Sequence, residues 1–375
     1  VPDTTQRLDV FDGLRGIAIL LVVWYHVWEV SGLGLGPLNI FGEAGFLGVD
    51  LFFFISGFCL FLPYARAAVA GRPARSAAHF FTRRVQKIVP SYLLALGVFS
   101  VVYWDRFGSP ADAVLQLGSH LAFVHTLAPS TFYAISGPLW TIGVEVQFYL
   151  LFPFIAPWFA RRPLVAYAAL VAVAEAYRIA VAVTGNGTSV WLTNEVPAFF
   201  DLFGAGMLTA WFLAQRHERT ADRTRLANGA ALGACAAALA VLAVTSSIGR
   251  AQGADGMRAW VNDYRLLFGP LCIALGVSCS FAGDRWRRIV TAKPLVWLSA
   301  ISYNVYLWHL EITVWYHNTG LAGIPAMLLA VVTSLGLAAL ITYRLERPIL
   351  ELELSPDGAK GSRSFGTSSP SRRAA

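Results

Sequence analysis

Charge is scarce in this chain. Of its 375 residues 14% are Asp, Glu, Lys or Arg and 56% are hydrophobic, a balance that excludes a soluble domain of this length. Cysteine is sparse as well. Cys59, Cys235, Cys272 and Cys279 all sit inside apolar runs, without metal-ligand spacing and without a loop pair, so they read as packing residues and no metal site is expected. A glycine-rich P-loop, a GxSxG elbow, an HExxH pair and a DxDxDG loop are all missing. Nucleotide hydrolysis, serine-hydrolase chemistry, zincin catalysis and an EF-hand therefore have no support. There is no signal peptide ahead of the first apolar run and no small-residue cleavage site after it, so the first helix is expected to remain as an uncleaved anchor. No internal repeat or heptad period occurs.

What is present is apolar length. Runs close to the ~20 residues that cross a bilayer recur at about 13–30, 46–64, 88–104, 138–159, 164–183, 196–215, 226–247, 264–281, 295–316 and 324–342. The expected fold is an all-α integral membrane bundle of about ten transmembrane helices. Residues 1–354 form its transmembrane domain, and 355–375, rich in Ser, Gly, Pro and Arg, form a disordered cytoplasmic tail. Lys and Arg concentrate in alternate connections and at both ends, so the positive-inside rule places both termini in the cytoplasm. The formal charge of +7 is a topology signal and not the footprint of a nucleic-acid partner. The long connection 105–137 carries an apolar middle, 111–125, too short to cross; a re-entrant or interfacial helix fits it.

Ionisable residues within the runs cost about 2.5–3.5 kcal/mol each on insertion scales, so they should face a polar cavity. Arg15 and His26, eleven apart, share one face of the first helix, roughly 16 Å apart along its axis. By depth the polar residues form two layers. Arg15, Arg83, Arg84, Lys87, Arg344, Glu346 and Arg347 lie near the cytoplasmic face, where arginine forks suit the phosphates of an anionic cosubstrate; snorkelling topology anchors are the plainer reading of the same cations. His26, Asp50, Glu145, Asp201, His309 and Glu311 lie in the outer half. His26 and Glu145 are the candidate base and carboxylate for deprotonating a hydroxyl. His309 shares a face with Ser302 and Tyr306, and Asn304 with Glu311; either set could equally serve helix–helix hydrogen bonding. Asp50, Asp201, Asn304 and His309 are the candidate acceptor-binding residues. Ser56 and Cys59 stand unaccompanied in FISGFCLF, so direct attack by an acceptor hydroxyl on an activated thioester is the economical mechanism.

The ordered motifs LDVFDGLRGIAILLVVWYHV, GVDLFFFISGF, FFTRRVQKIVPSY, PLWTIGVEVQFYLLFP, ISYNVYLWH and LERP resemble the membrane acyltransferase 3 group of O-acyltransferases over residues 7–348. The resemblance implies a bundle of about ten helices that moves an acyl group from cytoplasmic acyl-CoA, acetyl-CoA or a short acyl-CoA, to a hydroxyl. It places the family's Arg-x10-His on Arg15 and His26, its basic cluster on Arg83, Arg84 and Lys87, and its fourth-span glutamate on Glu145. Thr141 stands where serine is common, which keeps the hydroxyl. CoA phosphates would dock at the basic mouth with the pantetheine arm reaching toward His26. Members that modify surface polysaccharides often carry an extra esterase-like domain, which is not found here. That difference, with an Ala-, Arg- and Gly-rich composition, points to a hydroxylated small molecule such as a macrolide antibiotic as acceptor, with O-acetylation of a cell-envelope sugar or glycan as the alternative. A proton-coupled transporter explains the buried ionisable residues equally well but leaves the basic mouth unexplained.

Overall fold

The computed structural model describes residues 4–32, 34, 36–215, 221–321 and 323–352. Its α-helices run in chain order α1 (Thr4–Ser31), α2 (Asn39–Glu43), α3 (Gly48–Val69), α4 (Ala77–Val102), α5 (Pro110–Leu121), α6 (Leu139–Arg161), α7 (Pro163–Val183), α8 (Phe200–Ala214), α9 (Ala221–Tyr264), α10 (Phe268–Phe281), α11 (Asp284–Val290), α12 (Lys293–Asn318), α13 (Gly323–Ile341) and α14 (Arg347–Glu351), with a π-helical turn at Thr342–Glu346 between the last two. No strand occurs among the described residues. Helices satisfy every backbone group within the segment, which lipid requires.

This is a multi-pass integral membrane protein. Eight stretches among the described residues are long and apolar enough to cross a membrane, and one of them, Asp222–Phe281, contains both α9 and α10. α12 is 26 residues long yet falls outside those eight, because Ser299, Ser302, Asn304, His309 and Glu311 dilute its hydropathy. Each of the ten apolar runs coincides with a helix. α4 begins at Ala77, well before residue 88, where Ser76 accepts a hydrogen bond from the His79 amide at 3.2 Å and caps the helix; Arg83, Arg84 and Lys87 are therefore helical. The short helix expected within 111–125 is α5, whose 12 residues cannot span. The tail from 355 and residues 216–220 of the basic cluster lie outside the described residues.

Small residues set the helix spacing. A Cβ on Gly57 of α3 would lie 2.1 Å from the Phe203 carbonyl oxygen, and one on Gly206 of α8 would lie 2.0 Å from that of Phe54, so the two backbones touch across a reciprocal glycine pair. Gly16 does the same for α1 against α12, 2.4 Å from the Leu295 oxygen. Around the α3–α8 seam Phe148 stacks on Phe203 at 3.8 Å, and Phe54, Phe58 and Phe152 are buried. Large apolar side chains such as Phe154, Val183 and Val101 stay exposed on the perimeter, where lipid would cover them. α9, 44 residues and ~66 Å if straight, is broken at Gly253, whose φ of +73° is a glycine conformation; its last turns fold back against the bundle.

Gly57→Ala and Gly206→Ala should each lower stability by about 1–3 kcal/mol through overpacking. Gly229→Ala, with nothing within 4 Å of the new methyl, should leave the detergent melting midpoint unchanged or raise it. Equal midpoints for all three would mean the seam is not tight.

Candidate active site

Two of the cavities among the described helices gather the candidate residues. One, about 140 Å³, is toward the end that carries Arg84 and Lys87 and is also lined by Arg15, Ser56, Glu145, Tyr149 and Tyr303. The other, about 420 Å³, is toward the opposite end and is lined by His26, Tyr25, Glu29, Asp50, Trp140 and Arg265 among others. Val49 and Tyr306 line both.

His26 and His309 form a pair. His309 Nδ1 lies 3.0 Å from the Val305 oxygen and 2.8 Å from the Tyr306 oxygen. Carbonyls only accept, so Nδ1 carries the proton and Nε2 a lone pair. That lone pair lies 2.9 Å from His26 Nδ1, which must then be the donor; the Val22 carbonyl, 3.1 Å away, shares the same proton. In this neutral tautomer the lone pair of His26 is on Nε2, and His26 lines the larger cavity. Helix geometry produces this arrangement, because a histidine ring can reach back to the carbonyl of the preceding turn on both α1 and α12.

Glu145 does not join His26. It lines the smaller cavity and accepts a hydrogen bond from Ser56 Oγ at 2.6 Å, so the expected His26–Glu145 pair is replaced by His26–His309, and Ser56 is accompanied after all. Depth along an ideal helix axis put the two at one level, whereas lateral packing put them in different cavities. Cys59 also has a neighbour, the Arg15 guanidinium at 3.6 Å.

The basic cluster divides. Arg84 sits over the Phe80 and Tyr149 rings, 5.7 and 5.8 Å from their centroids; its buried Nε has no hydrogen-bond partner, and the residue lines the smaller cavity. Lys87 is salt-bridged to Glu346 while still lining that cavity. Arg83 is not among its lining residues; it donates to the Leu350 carbonyl at 2.7 Å and anchors α14. Asn304 donates to Thr342 at 2.8 Å and to Glu346 at 3.1 Å. It therefore tethers the π-helical turn and lines neither cavity.

Asp201 is likewise engaged, 2.7 Å from Arg178, with side chains 1% and 2% exposed. Asp50 lies 2.9 Å from Arg265, but both line the larger cavity. The arginines were visible in the sequence only as cations near span edges. In the connection before α6, His120 and His125 stack at 4.1 Å; burial pushes them down, to about 3 and about 4, so the stack is neutral at pH 7. No group of three His, Cys, Asp or Glu able to hold a metal ion occurs among the described residues.

The helical membrane bundle thus encloses one cavity lined by cations and one lined by a histidine. The chain belongs to the acyltransferase 3 family: the sequence profile of its acyltransferase domain matches residues 8–343. The exopolysaccharide production protein ExoZ of Rhizobium meliloti is 30% identical over 318 residues, covering 82% of this chain and 90% of ExoZ. YrhL of Bacillus subtilis, a candidate peptidoglycan O-acetyltransferase, is 25% identical over 367 residues, 90% of this chain and 54% of YrhL. The peptidoglycan O-acetyltransferase OatA of Listeria monocytogenes is 23% identical over 342 residues, 80% of this chain and 48% of OatA. The chain thus spans about half the length of the last two. No solved structure matches it.

Removing Asp201 leaves the Arg178 charge buried with only the partly exposed Glu175 beside it. Asp201→Ala should therefore cost about 3–5 kcal/mol, read as lost yield of monodisperse protein and a lower melting midpoint. An unchanged midpoint would show that the pair carries no structural load.

Proposed function

We propose that this chain is an acyl-CoA-dependent O-acyltransferase of a bacterial plasma membrane that acylates a hydroxyl of an envelope polysaccharide or peptidoglycan sugar. The observation that carries this reading is the His26–His309 pair, which leaves an unprotonated imidazole nitrogen at a cavity wall large enough for a ligand. The relatives named for exopolysaccharide and peptidoglycan support a glycan acceptor over a macrolide. The larger cavity supports it too: Tyr25, Tyr133 and Trp140 offer aromatic faces, and Glu29, Asn194 and Arg258 offer hydrogen-bonding groups, a combination suited to a sugar ring. The transporter reading relies on His26, Glu145 and Asp201 as a proton relay, and Asp201 is held in an ion pair with Arg178.

In this reading α9, α10 and α12 each count as crossings, the bundle has ten, and both termini lie in the cytoplasm. Acyl-CoA comes from the basic end, its thioester reaching into the smaller cavity past Arg84, Lys87 and Arg15. The acceptor hydroxyl oxygen attacks the thioester carbonyl carbon while His26 Nε2 takes its proton. His309 Nε2 holds the Nδ1 proton and shares the charge of the imidazolium, the role a carboxylate plays in other triads. The C–S bond breaks, and the imidazolium returns the proton to the CoA thiolate. Glu145 and Ser56 act on the donor side, orienting the thioester rather than the base.

Release of CoA thiol by the purified protein in detergent, with glycan oligosaccharides as acceptors, tests this. His26→Ala should lose about 10²–10⁴-fold in turnover with acyl-CoA binding retained, and near-normal turnover would remove His26 from the mechanism. Arg84→Ala should weaken acyl-CoA binding about tenfold or more, the worth of a charge-assisted hydrogen bond, whereas Arg83→Ala should bind nearly as wild type. The opposite ranking would put the phosphate site elsewhere.

A further inference from the structure

The two cavities have a consequence for acyl-chain choice, which rests on the donor and acceptor assignment above. A thioester held at the basic end must bring its carbonyl carbon to about 3–3.5 Å from the attacking oxygen, and that oxygen is hydrogen-bonded to His26 in the other cavity. The acyl group must therefore lie where the two cavities adjoin. Among the described residues, Val49 and Tyr306 alone line both. We infer that Val49 and Tyr306 form the acyl selector of this enzyme, a fixed window that passes short acyl groups and turns back longer ones.

The window is built to keep its width. Val49 sits in the first turn of α3, between Gly48 and Asp50. A Cβ on Gly48 would lie 2.6 Å from the Ala18 oxygen, and one on Gly45 would lie 2.3 Å from the Leu21 oxygen, so this end of α3 rests directly on the backbone of α1, roughly 1.4 to 2.2 turns before His26. Asp50, the next residue, is held by Arg265. Across the gap, the Tyr306 carbonyl accepts from His309, and the Tyr306 ring meets Phe52 edge-on at 6.1 Å. Both side chains are buried, Val49 at 9% and Tyr306 at 7% exposed. The same contacts that orient the histidine pair therefore locate the window, and a longer chain finds no room made for it by an easy side-chain swing.

The test is a chain-length profile on the full chain: kcat/KM for acetyl-, butyryl- and hexanoyl-CoA with one glycan acceptor, in wild type, Val49→Ala and Val49→Phe. Each ratio is taken within one variant, so a general loss of folding cancels. Val49→Ala should raise the hexanoyl-to-acetyl ratio about tenfold or more, the scale of a methylene-sized change in an apolar pocket. Val49→Phe should lower the butyryl-to-acetyl ratio. If Val49→Phe does not fold, Tyr306→Leu replaces it, with the hexanoyl-to-acetyl ratio expected to rise. Ratios that stay at the wild-type value in these variants overturn the selector while leaving the acyltransferase reading intact; a wild type that releases no thiol from any donor refutes that reading instead.

Discussion

A charge inside a bilayer-spanning bundle must find a partner, and the structure is arranged around meeting that demand. Arg178 is matched by Asp201 and Glu175, Arg265 by Asp50, and Lys87 by Glu346. Arg178–Asp201 ties α7 to the following α8, while Asp50–Arg265 and Lys87–Glu346 join elements far apart in sequence, the start of α3 to the turn before α10 and α4 to the π-helical turn after α13. An isolated charge at this depth would cost several kcal/mol, so these pairs restrict which helices can be neighbours. Arg15 and Arg84 also line the smaller cavity, and in the proposed function they face the anionic cosubstrate.

Close backbone contact does the complementary work. Gly16, Gly48, Gly57 and Gly206 let α1, α3, α8 and α12 approach until main-chain oxygens sit where side chains would otherwise be. In lipid there is little hydrophobic drive to bring helices together, so van der Waals contact between small residues supplies it. The consequence reaches the chemistry: α1 carries His26 and α12 carries His309, and only a tight α1–α12 seam puts their ring nitrogens 2.9 Å apart. Packing and the geometry of the histidine pair are one feature here.

In the proposed mechanism the histidine pair prepares a base without a carboxylate. Two backbone carbonyls fix the tautomer of His309, His309 fixes that of His26, and polarity runs from the helix backbone to the cavity wall. In the proposed mechanism, the separation of His26 from Glu145 sets a donor side apart from an acceptor side. The relatives named for exopolysaccharide and peptidoglycan are the ground for the glycan acceptor proposed above.

Much of this was legible from residue order alone. Apolar length marked every long helix, the motifs from LDVFDGLRG to LERP marked the family, and the cost of intramembrane charge singled out Arg15, His26, Arg84 and Lys87. What the sequence could not convey is lateral: which residues at similar depth face each other. Glu145 and His26 look like partners when helices are laid side by side as ideal rods, yet Glu145 pairs with Ser56 and His26 with His309. Asn304 and Asp201 look available, yet each is taken up by a neighbour. Local composition determines whether a segment crosses as a helix, because lipid leaves the backbone no other choice. Contacts across the bundle depend on rotation and spacing between helices, and those are set by glycine seams and buried ion pairs that exist only once the chain has folded.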